Sequence, residues 1–407
     1  MKKPKVLMLG WEFPPYKSGG LGTACYDLTK GLAKLGTRVT FVMPFAPTGA
    51  RAEYVNLLGA AKLLKNVKIK TITSTLRAYH TSTTYAQTLA ETHVSLTGTA
   101  GAVYGKNLYE EVQRYTHVAQ ELKNRTFDVI HAHDWMTYPA GLALKKKTKK
   151  PLIVHLHATE FDRTAGNPDP RISHIEYEGL CGADHIITNS HFSKQNILKH
   201  YAIPENKIEV VHWGIDDEHI PSPTEKTLPH HSVLFLGRVT VQKGPDYFVE
   251  AAKHVLAFEP NTKFIVVGDG DMLPRIINRT CELGIADKFI FTGALKGADV
   301  HRAFQNASVY VMPSVSEPFG LVALEAIKNG TPVILSKTSG VSEVVSHALK
   351  ADFWDTKSLA EKIVSVLRHA PLREELRKNS LTESKQFTLI EPARKVLDAY
   401  RRLTGKH

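Results

Sequence analysis

Apolar residues in this chain fall into short, dense runs separated by stretches of helical periodicity. Residues 6–9 are apolar and stop at Gly10; Gly19, Gly20 and Gly22 then open a segment, 24–35, whose apolar positions recur every three to four residues. Gly36 ends that segment and 38–43 is apolar again, so the order is strand, helix, strand. Such a unit implies a parallel sheet, because parallel neighbours need a crossover. The pattern recurs: 127–131 reads as a strand, 138–147 as a helix, 152–156 and 184–189 as strands, and the next helix has Ser190 or Ser193 as its cap.

From Ser232 the same grammar restarts. VLFLGR is a strand, 245–256 a helix, and FIVVGDG, FIFTG, VYVMPS and PVILS are four further strands. Between the two halves, 216–231 is rich in proline, histidine and charge, the composition of a linker. The expectation is two Rossmann-like α/β domains, 1–213 and 214–385, with the boundary near Gly214. A last helix within 386–407 has no strand after it and is expected to pack back toward the first domain. Residues 77–105, rich in threonine, glycine and alanine, read as a surface excursion. A chain of 407 residues supports this division, since one core rarely serves so many.

Composition narrows the class. At 43% hydrophobic and 23% charged residues this is an ordinary globular chain. The longest apolar runs, at 6–10 and 264–268, fall far short of the ~20 residues that span a bilayer. The opening MKKPKVLMLG runs straight into a charged, proline-rich turn and is not read as a secretion signal. Cys25, Cys181 and Cys281 are isolated, which supports neither a disulfide framework nor a zinc site and fits a cytoplasmic setting. An excess of 52 Lys+Arg over 40 Asp+Glu, net +12, points to anionic ligands without choosing among them: nucleotide-sugar phosphates, polyanions or an anionic membrane surface touched peripherally. The basic run 145–150 has no interleaved aromatics and reads as a solvated helix end, so no nucleic-acid partner is expected.

Four segments carry candidate chemistry. In Lys17-Ser-Gly-Gly-Leu-Gly22, glycines between a strand and a helix allow backbone N–H groups to approach a phosphate, with a lysine beside them. Gly237-Arg238 ends a strand and Lys243-Gly244 precedes the next helix, setting two cations at the carboxyl edge of a parallel sheet, where a diphosphate would sit. In Ser316-Glu317-Pro-Phe-Gly-Leu-Val-Ala-Leu-Glu325 two carboxylates stand just over two helical turns apart, on one rim, with Gly320 and Leu321 offering N–H groups at the helix start. His131-Ala-His133-Asp134-Trp135 and His155-Leu-His157-Ala-Thr-Glu160 each follow a strand of the first sheet. His131 and His155 read as structural, and without a further carboxylate or cysteine at ligand spacing no metal is expected. Phe13, Met136 and Val266 stand at strand ends where a pocket wall or plain core would place them.

Taken together, these segments resemble the retaining family-4 glycosyltransferases of the GT-B fold, above all their glycogen/starch synthase-like branch. KSGGLG is similar to that branch's donor-phosphate loop, HAHDW to its His-Asp-Trp segment, and SEPFGLVALE to the family's pair of glutamates eight positions apart. The resemblance implies parallel sheets facing each other across a cleft, with acceptor on the first domain and donor on the second. It implies transfer of a hexosyl group, glucose from ADP- or UDP-glucose, to a carbohydrate or glycan acceptor, with no cofactor. Arg238 and Lys243 would hold the diphosphate, Glu317 the sugar hydroxyls and Glu325 the ribose. Lys17, Gly19 and Gly20 would meet the phosphates, Asp134 and His157 would line the sugar site, and Gly268, Leu295, Phe319, Gly320 and Leu321 would complete the donor pocket. Two alternatives are a mannosyl- or other hexosyltransferase of lipid-linked or envelope glycans, and a non-catalytic glycan- or sugar-nucleotide-binding protein. The chain departs from the family at His212-Trp213-Gly214-Ile215-Asp216, where Asn-Gly-Val/Ile-Asp is usual, and 44–110 is compact for a glucan synthase.

Overall fold

The structure is a computed structural model; it describes residues 3–11, 13–14, 20–43, 67–71, 108–216, 220 and 231–406. Lys17, Gly19, the expected excursion at 77–105 and most of the expected linker lie outside the described residues.

The first sheet has seven strands: β1 (Lys5–Leu9), β2 (Arg38–Met43), β3 (Val67–Thr71), β4 (Val129–His133), β5 (Leu152–Leu156), β6 (His185–Thr188) and β7 (Ile208–Val210). Their order is β3-β2-β1-β4-β5-β6-β7, and each neighbour runs parallel. β4 and β5 are buried at every position, which a parallel sheet covered on both faces requires of its central strands. The helices are α1 (Gly20–Lys34), α2 (Leu108–Ala119), α3 (Tyr138–Thr148), α4 (Glu160–Arg163), α5 (Pro170–Gly182) and α6 (His191–His200).

The second sheet has six strands, β8 (Ser232–Leu236), β9 (Lys263–Val267), β10 (Phe289–Gly293), β11 (Val309–Met312), β12 (Val333–Ser336) and β13 (Leu349–Ala351). They lie in the order β10-β9-β8-β11-β12-β13, again parallel throughout. Among its helices are α7 (Pro245–Leu256), α8 (Leu273–Glu282), α9 (Ala298–Asn306), α10 (Leu321–Lys328), α11 (Thr356–Arg368) and α12 (Ala370–Glu383). Two Rossmann-like α/β sheets in series are what the repeated strand-helix pattern predicts.

Both sheets reverse their winding once, between β1 and β4 and between β8 and β11. Parallel sheets bind ligands outside the carboxyl ends of strands at such a reversal. The segments singled out in the sequence follow these strands: His133-Asp134 closes β4, Gly237-Arg238 follows β8, and Glu317 follows β11.

The final helix, α13 (Ile390–Thr404), lies on α1. Gly31 makes that possible, since a Cβ there would stand 2.5 Å from the Leu389 carbonyl oxygen and 2.7 Å from Ala393 Cβ. On the opposite flank of the second sheet, Phe235, Val249, Phe264 and Ile363 form a separate apolar cluster.

Candidate active site

Glu317 leaves β11 through a turn, pairs with Ser339 in a parallel bridge and donates its N–H to the Thr338 carbonyl at 2.9 Å. Gly320, at φ 108°, turns the chain into α10 as its N-cap, a left-handed conformation that suits glycine. The turn sets the Glu317 carboxylate into a small cavity lined by Lys243, Tyr310, Ser314 and Val322 among others. There it accepts from Ser314 Oγ at 3.3 Å and is ion-paired with the Lys243 ammonium. Lys243 arrives on a 3-10 turn closed by Gly244, whose φ of 63° starts α7. The Arg238 guanidinium donates to Gln242 at 2.8 Å.

Tyr310 on β11 senses both glutamates: burial first, then the charges of Glu317 and Glu325, push its phenol well above its usual range. The charges of Glu317 and Glu325 thus both act on this one buried ring. Gly268 follows β9 at φ 143°, and a Cβ there would fall 1.8 Å from the Gly237 carbonyl oxygen. Only a glycine fits, and its closeness holds the backbone just ahead of Arg238. Phe319 is buried, while Leu295 and Leu321 are half-buried against the core. Gly20 opens α1 with open space where a Cβ would be.

The first domain presents four histidines from β4, β5 and the residue that follows β5. His131, His133 and His155 are fully buried, and His157 is buried with 8% exposure. They join in pairs: His133 Nδ1 lies 2.9 Å from His157 Nε2, and His155 Nδ1 lies 3.3 Å from His131 Nε2, whose Nδ1 meets the Tyr400 hydroxyl of α13 at 2.6 Å. Burial holds His131, His133 and His155 well below their usual pKa, and burial with Arg163 pushes His157 down to about 3. All four are neutral rings at neutral pH. The sets Cys25/His133/His157 and His131/His133/His155 bring donor atoms within 4.8 Å of one another. The rings of His131 and His155 stack at 9° and those of His155 and His157 at 14°, while His133 and His157 are tilted at 31° and share their hydrogen bond. Cys25, isolated in the sequence, is thus brought by the fold within ligand distance of two histidines.

Asp134 is 2% exposed, at φ 58°, and its carboxylate turns inward. It accepts from the His157 N–H at 2.7 Å and lies 3.5 Å from Arg163, which also pairs with Glu176 at 2.8 Å. Burial pushes Asp134 up to about 6, against the pull of Arg163 and of the His157 and Ala158 N–H groups. It holds the His157 backbone from behind the site.

The two domains meet at this point. Ser190 Oγ donates to the Pro318 carbonyl at 2.6 Å, and Ser193 Oγ reaches the same carbonyl at 3.2 Å and Asn189 at 2.9 Å. Asn189 in turn donates to the His157 carbonyl at 3.0 Å. Ser316 Oγ donates to Asp162 at 2.5 Å. A polar chain thus runs from His157 to the residue after Glu317. Sequence reasoning reached both of its ends but, of its links, only the two serines, and those as helix caps.

Two parallel sheets in series, with a cation-carboxylate pair after the central strands of one and a buried histidine cluster on and just after those of the other, make up a two-domain fold of the GT-B glycosyltransferase type. The chain matches the family models for "Glycosyltransferase Family 4" over residues 18–219 and "Glycosyl transferases group 1" over 216–382. It is 31% identical to an uncharacterised glycosyltransferase of Methanocaldococcus jannaschii, over 84% of this chain and 83% of that one. It is 26% identical to a glycogen synthase of Mycobacterium tuberculosis, over 89% and 86%. Among solved structures, HepE of Anabaena in complex with UDP-glucose superimposes with a TM-score of 0.71 at 18% identity, covering 98% of this chain and all of the other. The chain belongs to glycosyltransferase family 4 and is a glycosyltransferase. Among the described residues no helix is long and apolar enough to cross a membrane.

Proposed function

We propose that this enzyme transfers a hexosyl group, glucose from UDP- or ADP-glucose, to a carbohydrate hydroxyl with retention of configuration. The carrying observation is the Lys243–Glu317 pair at the switch point of the second sheet, seated by the Ser190–Pro318 contact against the domain that bears His157. Similarity to a glycogen synthase and to a structure holding UDP-glucose supports a glucose donor.

In this reading residues 214–385 bind the donor and 1–213 the acceptor. Arg238 and Lys243 take the diphosphate, Glu317 the sugar hydroxyls, Glu325 the ribose, and His157 the sugar from the opposite wall. The bond from the anomeric carbon to the diphosphate oxygen breaks as the acceptor oxygen bonds that carbon on the same face. The acceptor's proton passes to the departing phosphate, so the protein supplies position and charge rather than a nucleophile. The test is a donor screen by mass shift, with ADP-, UDP- and GDP-hexoses and oligosaccharide acceptors. A glucosylated product whose yield collapses in Lys243→Ala supports the reading. Transfer from a GDP-hexose alone overturns the donor, and absence of nucleotide diphosphate binding overturns the whole. Cosedimentation with anionic vesicles tests whether the basic surface works at a membrane.

A further inference from the structure

We infer that Trp213 is a positioning residue for transfer: stacked on His155 and His157, its indole, with the His155 ring, holds the plane of the His157 imidazole. The inference rests on the proposed contact between His157 and the donor sugar.

Trp213 stands in the short passage, 211–216, that leaves β7 and crosses toward the second domain. The indole is 4% exposed; its centroid is 5.1 Å from His155 at 8° and 5.4 Å from His157 at 15°. Its own backbone is held tightly. Val211 N–H binds the Thr188 carbonyl at 2.8 Å, Ile215 N–H binds the Phe387 carbonyl at 3.1 Å, and a Cβ on Gly214 would stand 2.0 Å from the Thr388 carbonyl oxygen.

The constraints on His157 are divided among different groups. Asp134 and Asn189 fix its main chain. His133 holds Nε2, which defines a point on the ring and leaves the plane free to turn about it. Flat contacts with His155, 4.5 Å away at 14°, and with Trp213 together remove that remaining freedom. His155 is itself tied to His131 through Nδ1, while His133 Nε2 and His155 Nε2 have no hydrogen-bond partner among the described residues. Stacking therefore does for this wall of the cleft what hydrogen bonds do elsewhere. Trp213 is also the point at which the passage between domains touches the sugar-facing histidine, so a shift of that passage alters the ring directly.

The experiment compares Trp213→Phe, Trp213→Leu and His157→Ala in the full chain. Three readouts are taken: kcat and KM with UDP-glucose, the melting temperature, and the imidazole NMR signals of His157. In Trp213→Leu those signals shift and broaden, and kcat falls on the order of 10- to 100-fold with little change in KM for the donor, the cost of a misplaced group. In Trp213→Phe, which keeps a flat ring, both readouts return toward wild type. Unchanged His157 signals in Trp213→Leu overturn the inference whatever the donor. So does equal loss of kcat in the Phe and Leu variants in step with their melting temperatures, the mark of a merely structural residue. An inactive His157→Ala beside a fully active Trp213→Leu defeats the inference and spares the proposed role of His157. A fully active His157→Ala defeats that role itself.

Discussion

Lys243 is bonded to Glu317, the carboxylate proposed to hold the sugar. Side chains of the two are 18% and 8% exposed, so the pair is screened only in part. A diphosphate arriving at Lys243 has to draw the ammonium away from Glu317, and the freed carboxylate then faces the sugar hydroxyls. Replacing Glu317 by Gln removes the competitor and keeps the shape. A contact between unit charges near a surface is worth up to about 4 kcal/mol before desolvation is subtracted. Partly buried pairs retain a fraction of that, about 1 to 2 kcal/mol, which corresponds to free UDP binding about 5- to 30-fold tighter. Transfer should fall in the same variant by about 100- to 1000-fold, since a charge-assisted contact formed with the reacting sugar is lost. Lys243→Ala should instead weaken UDP by about 1.5 to 3 kcal/mol, the value of a hydrogen bond to a charged group. Isothermal titration with UDP, beside turnover with the sugar nucleotide, reads both effects. Weaker UDP binding in Glu317→Gln would refute the exchange of partners, because the carboxylate would then be aiding phosphate binding rather than competing with it.

Three further outcomes are expected. His157, with a folded pKa of about 3, and its three buried neighbours stay unprotonated where the unfolded chain binds protons, so stability is lost as pH falls below about 6.5, by up to about 1.4 kcal/mol per histidine per pH unit. Asp134, at about 6, opposes this by retaining a proton on folding, as do Glu160 and Glu176, raised by the same burial; against four histidines a net loss on acidification is expected, and a urea midpoint identical at pH 7.5 and 5.5 would contradict it. Gly268→Ala forces a Cβ onto the Gly237 carbonyl at a φ that side chains avoid, costing about 3 kcal/mol or more and displacing Arg238; a melting curve and a UDP titration read the two effects. Asp134→Asn should lower kcat with little change in donor KM by loosening the His157 backbone, and steady-state kinetics beside an Asp134→Glu control will show whether it does.

The parts of this molecule legible in its sequence are those whose signal is local. Helix α7 is read residue for residue because Gly244 and Pro245 announce its start and a clean apolar stripe follows. The β4 register is read two residues early, since Phe127 is apolar yet precedes the hydrogen-bonded span. Strands β7 and β13, three residues each, carry too little pattern to be seen. The Lys243–Glu317 cavity was foreseeable because both residues follow strands of one sheet, and strand ends of a parallel sheet share an edge. Asp134 was not foreseeable in its actual posture: its position at the end of β4 is local, but its inward turn depends on a left-handed φ and on Arg163 from α4. Contacts such as Ser316–Asp162, 154 positions apart, leave no periodic trace at all.

Those long-range contacts join the two sheets beside the candidate site. Helix α6 of the first domain begins at Ser190, whose side chain accepts from the Ser193 N–H, which leaves the first two helical N–H groups without a partner of their own. Glu343 of the second domain supplies it, accepting from His191 at 2.9 Å, Phe192 at 2.6 Å and His212 at 3.0 Å. Against the upward push of burial, these bonds hold its carboxyl below the usual range. The negative charge sits where a helix start favours one, so the domains are joined by a cap that would ordinarily be internal to a single domain. Glu343 follows β12, the strand beside β11, and Glu317 bonds to the same stretch through Ser339. The segment of the second domain that caps α6 is therefore the one that props up Glu317. A rotation of the domains at this contact would uncap α6 and release Pro318 together.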